Sequence, residues 1–154
     1  MCYSVSSLTK ARLDYARHRS DDPALIAALE KELEELVRDE PPLGWVSGFS
    51  HPRLLVFTQQ DPLRPRLFRW GLVPSWATNE QAAKDIATKT LNAKAESLFQ
   101  LPSFKFSAQH HRCLIFVDGF YEWQHQGKLK VPYYIQSTQD APLVMGGVYS
   151  YWKG

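Results

Sequence analysis

The chain has 154 residues, of which 44% are hydrophobic, 13% aromatic and 22% charged, a globular balance that excludes disorder, collagen and coiled coil. No apolar run approaches the ~18 residues of a membrane-spanning helix. Eighteen Lys plus Arg against 16 Asp plus Glu give a formal net charge of +2, yet residues 21–40 hold eight acids and two bases, so the remainder carries +8. A basic remainder fits a polyanionic partner, and it equally fits plain solubility. The opening Met1-Cys2-Tyr3-Ser4 has no basic or apolar leader, and there are only two cysteines. A cytoplasmic location without a disulfide framework is therefore expected. With no repeat, low-complexity tract or linker in view, one domain over residues 1–154 is expected.

Residues 8–19 read as a short helix. Asp22-Pro23 then reads as an N-cap and first helical position. Leu25, Leu29, Leu33, Leu36 and Val37 follow at helical spacing, with acids between them on a solvated face. Pro41-Pro42 should stop that helix. Downstream, β-branched and aromatic runs predict strands at Leu54–Thr58, Arg66–Val73, Cys113–Val117, Val131–Gln136 and Leu143–Tyr149. Glu80–Ala87 and Ala95–Leu101 predict short helices or turns. The expected class is α+β, a mainly antiparallel sheet or open barrel with peripheral helices.

Four places carry chemistry-bearing residues. Cys2 follows the initiator Met, which is commonly removed before small residues. Its α-amine would then titrate near ~7.7–8.0, leaving roughly a third neutral near pH ~7.4, against about one lysine in a thousand. An amine and a thiol on adjacent carbons condense with an aldehyde to an imine and close to a thiazolidine, the second step being intramolecular. From position alone, Cys2 reads more readily as an incidental terminal residue. Arg69–Trp76 is a strand running into a Gly/Pro turn. Trp70 fits the core, and Trp76, past Pro74, fits a rim where it offers a stacking face. Asn92-Ala93-Lys94-Ala95-Glu96 packs an amide, a cation and a carboxylate together, although by periodicity it is an ordinary polar helix start. On a strand, Phe116, Asp118, Phe120 and Glu122 would share one face. A carboxylate among aromatics suits general acid–base work, or equally a structural hydrogen bond. His110, His111, Cys113 and His125 match no standard zinc spacing, and Cys113 reads as a small buried hydrophobe. No metal or cofactor is expected, and there is no phosphate loop, dinucleotide fingerprint or nucleophile elbow.

Met1-Cys2, Trp70-Gly71-Leu72-Val73-Pro74-Ser75-Trp76, Asn92-Ala93-Lys94-Ala95-Glu96-Ser97 and Asp118-Gly119-Phe120-Tyr121-Glu122-Trp123 occur in that order. As an ordered set they resemble the SRAP family (SOS response-associated peptidase), which includes the abasic-site shield proteins. The resemblance implies a monomeric DNA-damage protein that binds single-stranded DNA at abasic sites and has no membrane partner. In the family the processed N-terminal cysteine forms a thiazolidine with the ring-opened sugar. It implies Cys2 as nucleophile, Asn92 as the residue placing Cys2 and the sugar, and Glu122 as the group assisting ring opening and proton transfer. Lys94 falls where the family usually has a phosphate-binding arginine, Trp76 on the stacking rim tryptophan, and Pro52 on a proline wedging beside the strand. Two departures stand out. Met-Cys-Tyr-Ser replaces the frequent Met-Cys-Gly-Arg, and no His-x-x-Met-Pro segment is present, so a C-terminally truncated domain is expected, with lyase or reversal chemistry impaired. An N-terminal-nucleophile peptidase and a non-covalent single-strand-binding module are the alternatives.

Overall fold

A computed structural model describes residues 3–7, 22–40, 43–139 and 141–153. Cys2, the expected 8–19 helix and Pro41-Pro42 lie outside the described residues. Among the described residues, two four-stranded sheets and three helices make the class α+β, as the periodicities predict. The chain divides into two compact units: residues 2–46 with 116–145, and residues 47–115 with 146–154.

In the first unit, β1 (Ser4–Ser7), β2 (Leu43–Ser47), β6 (Gly119–Gln126) and β7 (Leu129–Gln136) form one sheet in the order β2-β1-β6-β7. β1 runs antiparallel to β6, with Ser4 opposite Tyr121 and Ser6 opposite Gly119. β6 and β7 pair along their full length, joined by the two-residue turn Gly127-Lys128. Gly127 sits at φ +62, the positive angle such a turn demands. Pro132 has no N–H for a ladder, and its strand is accordingly at the sheet edge. Helix α1 (Pro23–Val37) starts where the sequence places it: the Asp22 carboxylate accepts from the Ala24 N–H at 2.9 Å, and Pro23 follows. Leu33 and Val37 are buried while Glu32, Glu34 and Glu35 are exposed. Val5 and Val117 are fully buried.

The second unit holds most of the sheet ordered β4-β3-β5-β8, from β3 (Arg53–Thr58), β4 (Arg66–Arg69), β5 (Arg112–Val117) and β8 (Leu143–Val148). β3 pairs antiparallel with both β4 and β5. All five residues from Leu54 to Thr58 are buried, an unbroken run typical of a strand covered on both faces. Cys113, Val56 and Tyr149 form a cluster with Phe68 and Ile115 packed on it. Helix α2 (Glu80–Lys89) is capped by Asn79, whose side chain accepts from the Ala82 N–H at 2.9 Å. Helix α3 (Pro102–His110) buries Phe104, Ser107 and Ala108.

Two expectations are corrected, and one is narrowed. The strand expected over Arg66–Val73 ends at Arg69, because Gly71 turns the chain at φ +116. Ala95–Leu101, expected as a short helix or turns, is a series of turns, and a helix that no local pattern announced follows at Pro102–His110, where proline provides the start. The shared face of Phe116, Asp118, Phe120 and Glu122 breaks at Asp118, a bend between β5 and β6; only Phe120 and Glu122 alternate within one strand. The bend is held by the Asp118 N–H donating to the Ser6 carbonyl at 2.8 Å. Strands β1 and β2 are additions that no local pattern announced.

Candidate functional site

Glu122 lies on β6, half-buried, opposite Tyr133 of β7, and its Oε1 accepts from the Trp123 N–H at 3.3 Å. Its neighbour Tyr121 is opposite Ser4, so β1 enters the sheet one residue along from the glutamate. Tyr121 packs on Tyr134 at 4.8 Å between ring centroids. Close packing fixes this stretch: a Cβ on Gly119 would meet the Tyr134 ring at 2.5 Å and the Ile135 carbonyl at 2.7 Å.

Pro52, Trp76, Asn92 and Lys94 all belong to the second unit. Pro52 follows the 3₁₀ turn Gly48–Ser50, and its carbonyl accepts from the Trp70 N–H at 2.8 Å. The Trp70 indole donates to the Leu91 carbonyl at 2.7 Å, immediately before Asn92. One residue earlier, the buried Thr90 hydroxyl donates to the Leu72 carbonyl at 2.7 Å. The segments 51–52, 70–72 and 88–92 are thus tied to one another by hydrogen bonds that local patterns did not announce. Asn92 is half-buried and Lys94 exposed. Trp76 is 53% exposed, as expected of a rim residue. It lines an open pocket with Pro102, Phe106, His111 and Tyr151. The Ser150 hydroxyl donates to the Val73 carbonyl at 2.6 Å and the Trp152 indole to the Ala77 carbonyl at 2.8 Å, anchoring both flanks of the Trp76 turn.

The structure therefore gathers four of the six sequence-derived residues in one unit and sets Glu122 beside β1 in the other; Cys2 lies outside the described residues. Charge divides the same way. Residues 47–115 and 146–154 contain ten bases and four acids, a net +6 against the whole chain's +2. The acids of residues 21–40 belong to the other unit.

Cys113 is buried, and burial pushes its thiol up to about 11. His111 stacks on Tyr149 with centroids 4.9 Å apart. Among the described residues no group of three His, Cys, Asp or Glu could hold a metal ion, and no helix is long and apolar enough to cross a membrane. What sequence reasoning missed is His51, which donates from Nδ1 to the Trp70 carbonyl at 2.7 Å. Its only sequence signal is its place before Pro52.

The chain is similar to several known proteins. The family model described as SOS response associated peptidase (SRAP) matches residues 11–154. Abasic site processing protein YoaM of Bacillus subtilis is 38% identical over 86 residues, 55% of this chain and 36% of that protein. Abasic site processing protein HMCES of Xenopus tropicalis is 42% identical over 72 residues, 46% of this chain and 21% of that protein. The matched stretch thus spans about a third or less of these relatives. A crystal structure from Bacteroides thetaiotaomicron superposes on 98% of this chain with TM-score 0.74 and 30% identity, and 61% of that chain is covered. One from Bordetella bronchiseptica covers 96% of this chain and 63% of its own with TM-score 0.64, and at 20% identity it speaks for the fold alone.

Proposed function

Since the chain belongs to the SRAP family, we propose that it binds single-stranded DNA at abasic sites and joins covalently to them through Cys2. After removal of Met1, the neutral α-amine of Cys2 attacks the C1′ aldehyde of the ring-opened deoxyribose. The carbinolamine that forms loses its hydroxyl as water to give an imine. The Cys2 sulfur then adds to the imine carbon, its proton passing to nitrogen, and a five-membered thiazolidine closes. The net change is one C–N bond and one C–S bond formed, with one water released.

The observation that carries this reading is the β1–β6 register. Two peptide units separate Cys2 from Ser4, a span of at most ~7.6 Å between their Cα atoms. Ser4 lies opposite Tyr121, next to Glu122. That register supports a role for the Glu122 carboxyl group in the chemistry of the Cys2 amine and thiol. Glu122 shuttles the protons: from the C1′ hydroxyl to the ring oxygen as the furanose opens, from the amine nitrogen to the departing carbinolamine hydroxyl, and from the thiol to the imine nitrogen. Asn92 supplies an amide to hold the sugar hydroxyl, Lys94 meets a phosphate, Trp76 stacks a base, and Pro52 wedges beside the strand. The +6 charge of the unit bearing these four residues supports binding to a polyanion.

The test is a single-stranded oligonucleotide carrying one abasic site, resolved by denaturing electrophoresis. Wild type should give a slower band of one protein per strand, and Cys2→Ala none. A normal yield from Cys2→Ala defeats the proposal. Salt-sensitive binding that ignores the lesion, with no covalent band, would instead identify a non-covalent single-strand binder.

A further inference from the structure

His51 is the sole non-glycine residue with positive φ among the described residues, at φ 50 and ψ 51. Two rules disfavour that choice. A left-handed conformation is uncommon for a residue with a Cβ, and a following proline pushes its predecessor toward extended backbone. A conformation disfavoured on both counts persists only where its surroundings over-determine it, and such places cluster at functional sites.

The surroundings are visible. The His51 N–H donates to the Gly48 carbonyl at 2.9 Å, closing the 3₁₀ turn. Its ring then reaches back across the chain. Nδ1 is 2.7 Å from the Trp70 carbonyl. A carbonyl only accepts, so Nδ1 carries the proton. Nε2 faces the Thr88 hydroxyl on α2 at 3.4 Å, a longer second contact. Trp70 returns the bond: its N–H donates to the Pro52 carbonyl at 2.8 Å. Its indole donates to the Leu91 carbonyl at 2.7 Å. Space is tight around both residues. A Cβ on Gly71 would lie 2.8 Å from His51 Nδ1 and 2.8 Å from the Ala87 carbonyl. A Cβ on Gly48 would lie 3.1 Å from the Trp70 ring.

Every bond of this network ends within one residue of a candidate contact. Trp70 holds Pro52 directly and holds Leu91, which precedes Asn92. His51 precedes Pro52 and fixes the carbonyl of Trp70. We infer that His51 and Trp70 are positioning residues: a clamp that sets Pro52 and Asn92 relative to each other and so aligns the strand with the reacting sugar. This inference rests on the proposed function for its consequence, although not for its geometry. Neither residue needs to touch DNA.

The clamp is tested with His51→Ala, His51→Asn, His51→Gln and Trp70→Phe. Asparagine tolerates the left-handed region, and its Nδ2 replaces the Nδ1 donor. Glutamine carries its amide one carbon farther, where it replaces Nε2. Phenylalanine keeps the ring of Trp70 and drops the indole N–H. A displacement of about an ångström at a reacting centre costs up to ~100-fold in rate. His51→Ala, His51→Gln and Trp70→Phe should therefore slow covalent capture at saturating abasic strand by about tenfold or more. Their affinity for the strand should stay within about threefold. His51→Asn should restore the rate to within about threefold of wild type. Loss of rate in His51→Asn equal to that in His51→Ala, or no loss in any variant, overturns the clamp.

Nitrogen-15 NMR on the same proteins separates this inference from the function it serves. In His51→Ala the Trp70 indole N–H should lose its protection from hydrogen exchange, and the Asn92 side-chain amide resonances should shift. In His51→Asn both should return. Unmoved Asn92 resonances overturn the clamp whether or not wild type captures DNA. Absence of capture by wild type, with the shifts as expected, overturns the function and leaves the clamp standing.

Discussion

Cys113 is the second of the chain's two thiols, and its environment keeps it out of any chemistry. Burial raises its pKa from 9.0 to about 11, so the thiolate that would act as nucleophile is scarce at neutral pH. An alkylating reagent at pH ~7.5 should leave Cys113 unmodified in the folded protein and label it once the chain is unfolded in urea, read by peptide mass. Fast labelling in the folded state would contradict the buried placement. The same shift gives a pH dependence. Below about 9 the thiol is neutral in folded and unfolded chains alike. Between there and about 11 the unfolded chain ionises and the folded one does not, so stability should fall as pH rises through that window. Tyr149 acts in the same direction, raised by burial first and by Tyr151 second. Urea midpoints measured from pH 8 to pH 11 check the sign; a midpoint that rises with pH would contradict it. At this scale the sequence was legible where residue type alone decides. Cys113 opens an apolar strand and is buried, and Trp76 lies past a proline and is exposed. His51 was illegible, since a His-Pro pair does not announce a left-handed backbone or a bond to a carbonyl nineteen residues on.

The hairpin of β6 and β7 is the element on which Glu122 rides, and Gly119 is its tightest point. Gly119→Ala would force a methyl against the Ile135 carbonyl, which cannot swing away as a side-chain tip does. It should cost about 1–3 kcal/mol, whereas Gly44→Ala, with nothing within 4 Å, should cost far less. Thermal melts of the two variants decide this, and equal losses would contradict the packing. At the other end of that unit, the α1 cap was readable directly: Asp22-Pro23 before a helical apolar stripe is a local signal, and the Asp22 carboxylate accepts the predicted kind of bond. Helix α3 was missed because its signal is weak. Its buried set is Phe104, Ser107 and Ala108, one large residue and two small ones. The polar Asn92–Ser97 run before it looked more helical than it is.

For the molecule as a whole, the separation of charge was legible and the strand pairing was not. The acid cluster at 21–40 stands out in any count, and it falls in the unit that lacks Pro52, Trp76, Asn92 and Lys94. The pairing of β1 with β6 joins the two ends of a long loop, and Ser4–Ser7 carries too few apolar residues to declare a strand by itself. Only the meeting of the two strands brings Glu122 near the start of the chain. The +6 unit leads to a measurable consequence. Affinity for an abasic single strand should fall with salt, with a log–log slope near ~−0.7 per phosphate contacted. Lys94→Ala should make that slope shallower by about 0.7 and weaken binding at low salt. A slope identical to wild type would remove Lys94 from the phosphate contacts.

In the proposed bond to the damaged sugar one residue supplies both the amine and the sulfur, and Cys2→Ser separates the two roles. Serine keeps the α-amine and can still form an imine, but its hydroxyl is a far poorer ring-closing nucleophile than a thiolate. Intact mass of wild type after denaturation, with no reductant added, should equal the chain without Met1 plus the oligonucleotide less one water. Cys2→Ser should give that adduct only when borohydride traps the imine, two hydrogens heavier for the same composition. An adduct of equal yield from Cys2→Ser without borohydride, or a wild-type adduct that retains Met1, would contradict attachment through the Cys2 amine and thiol.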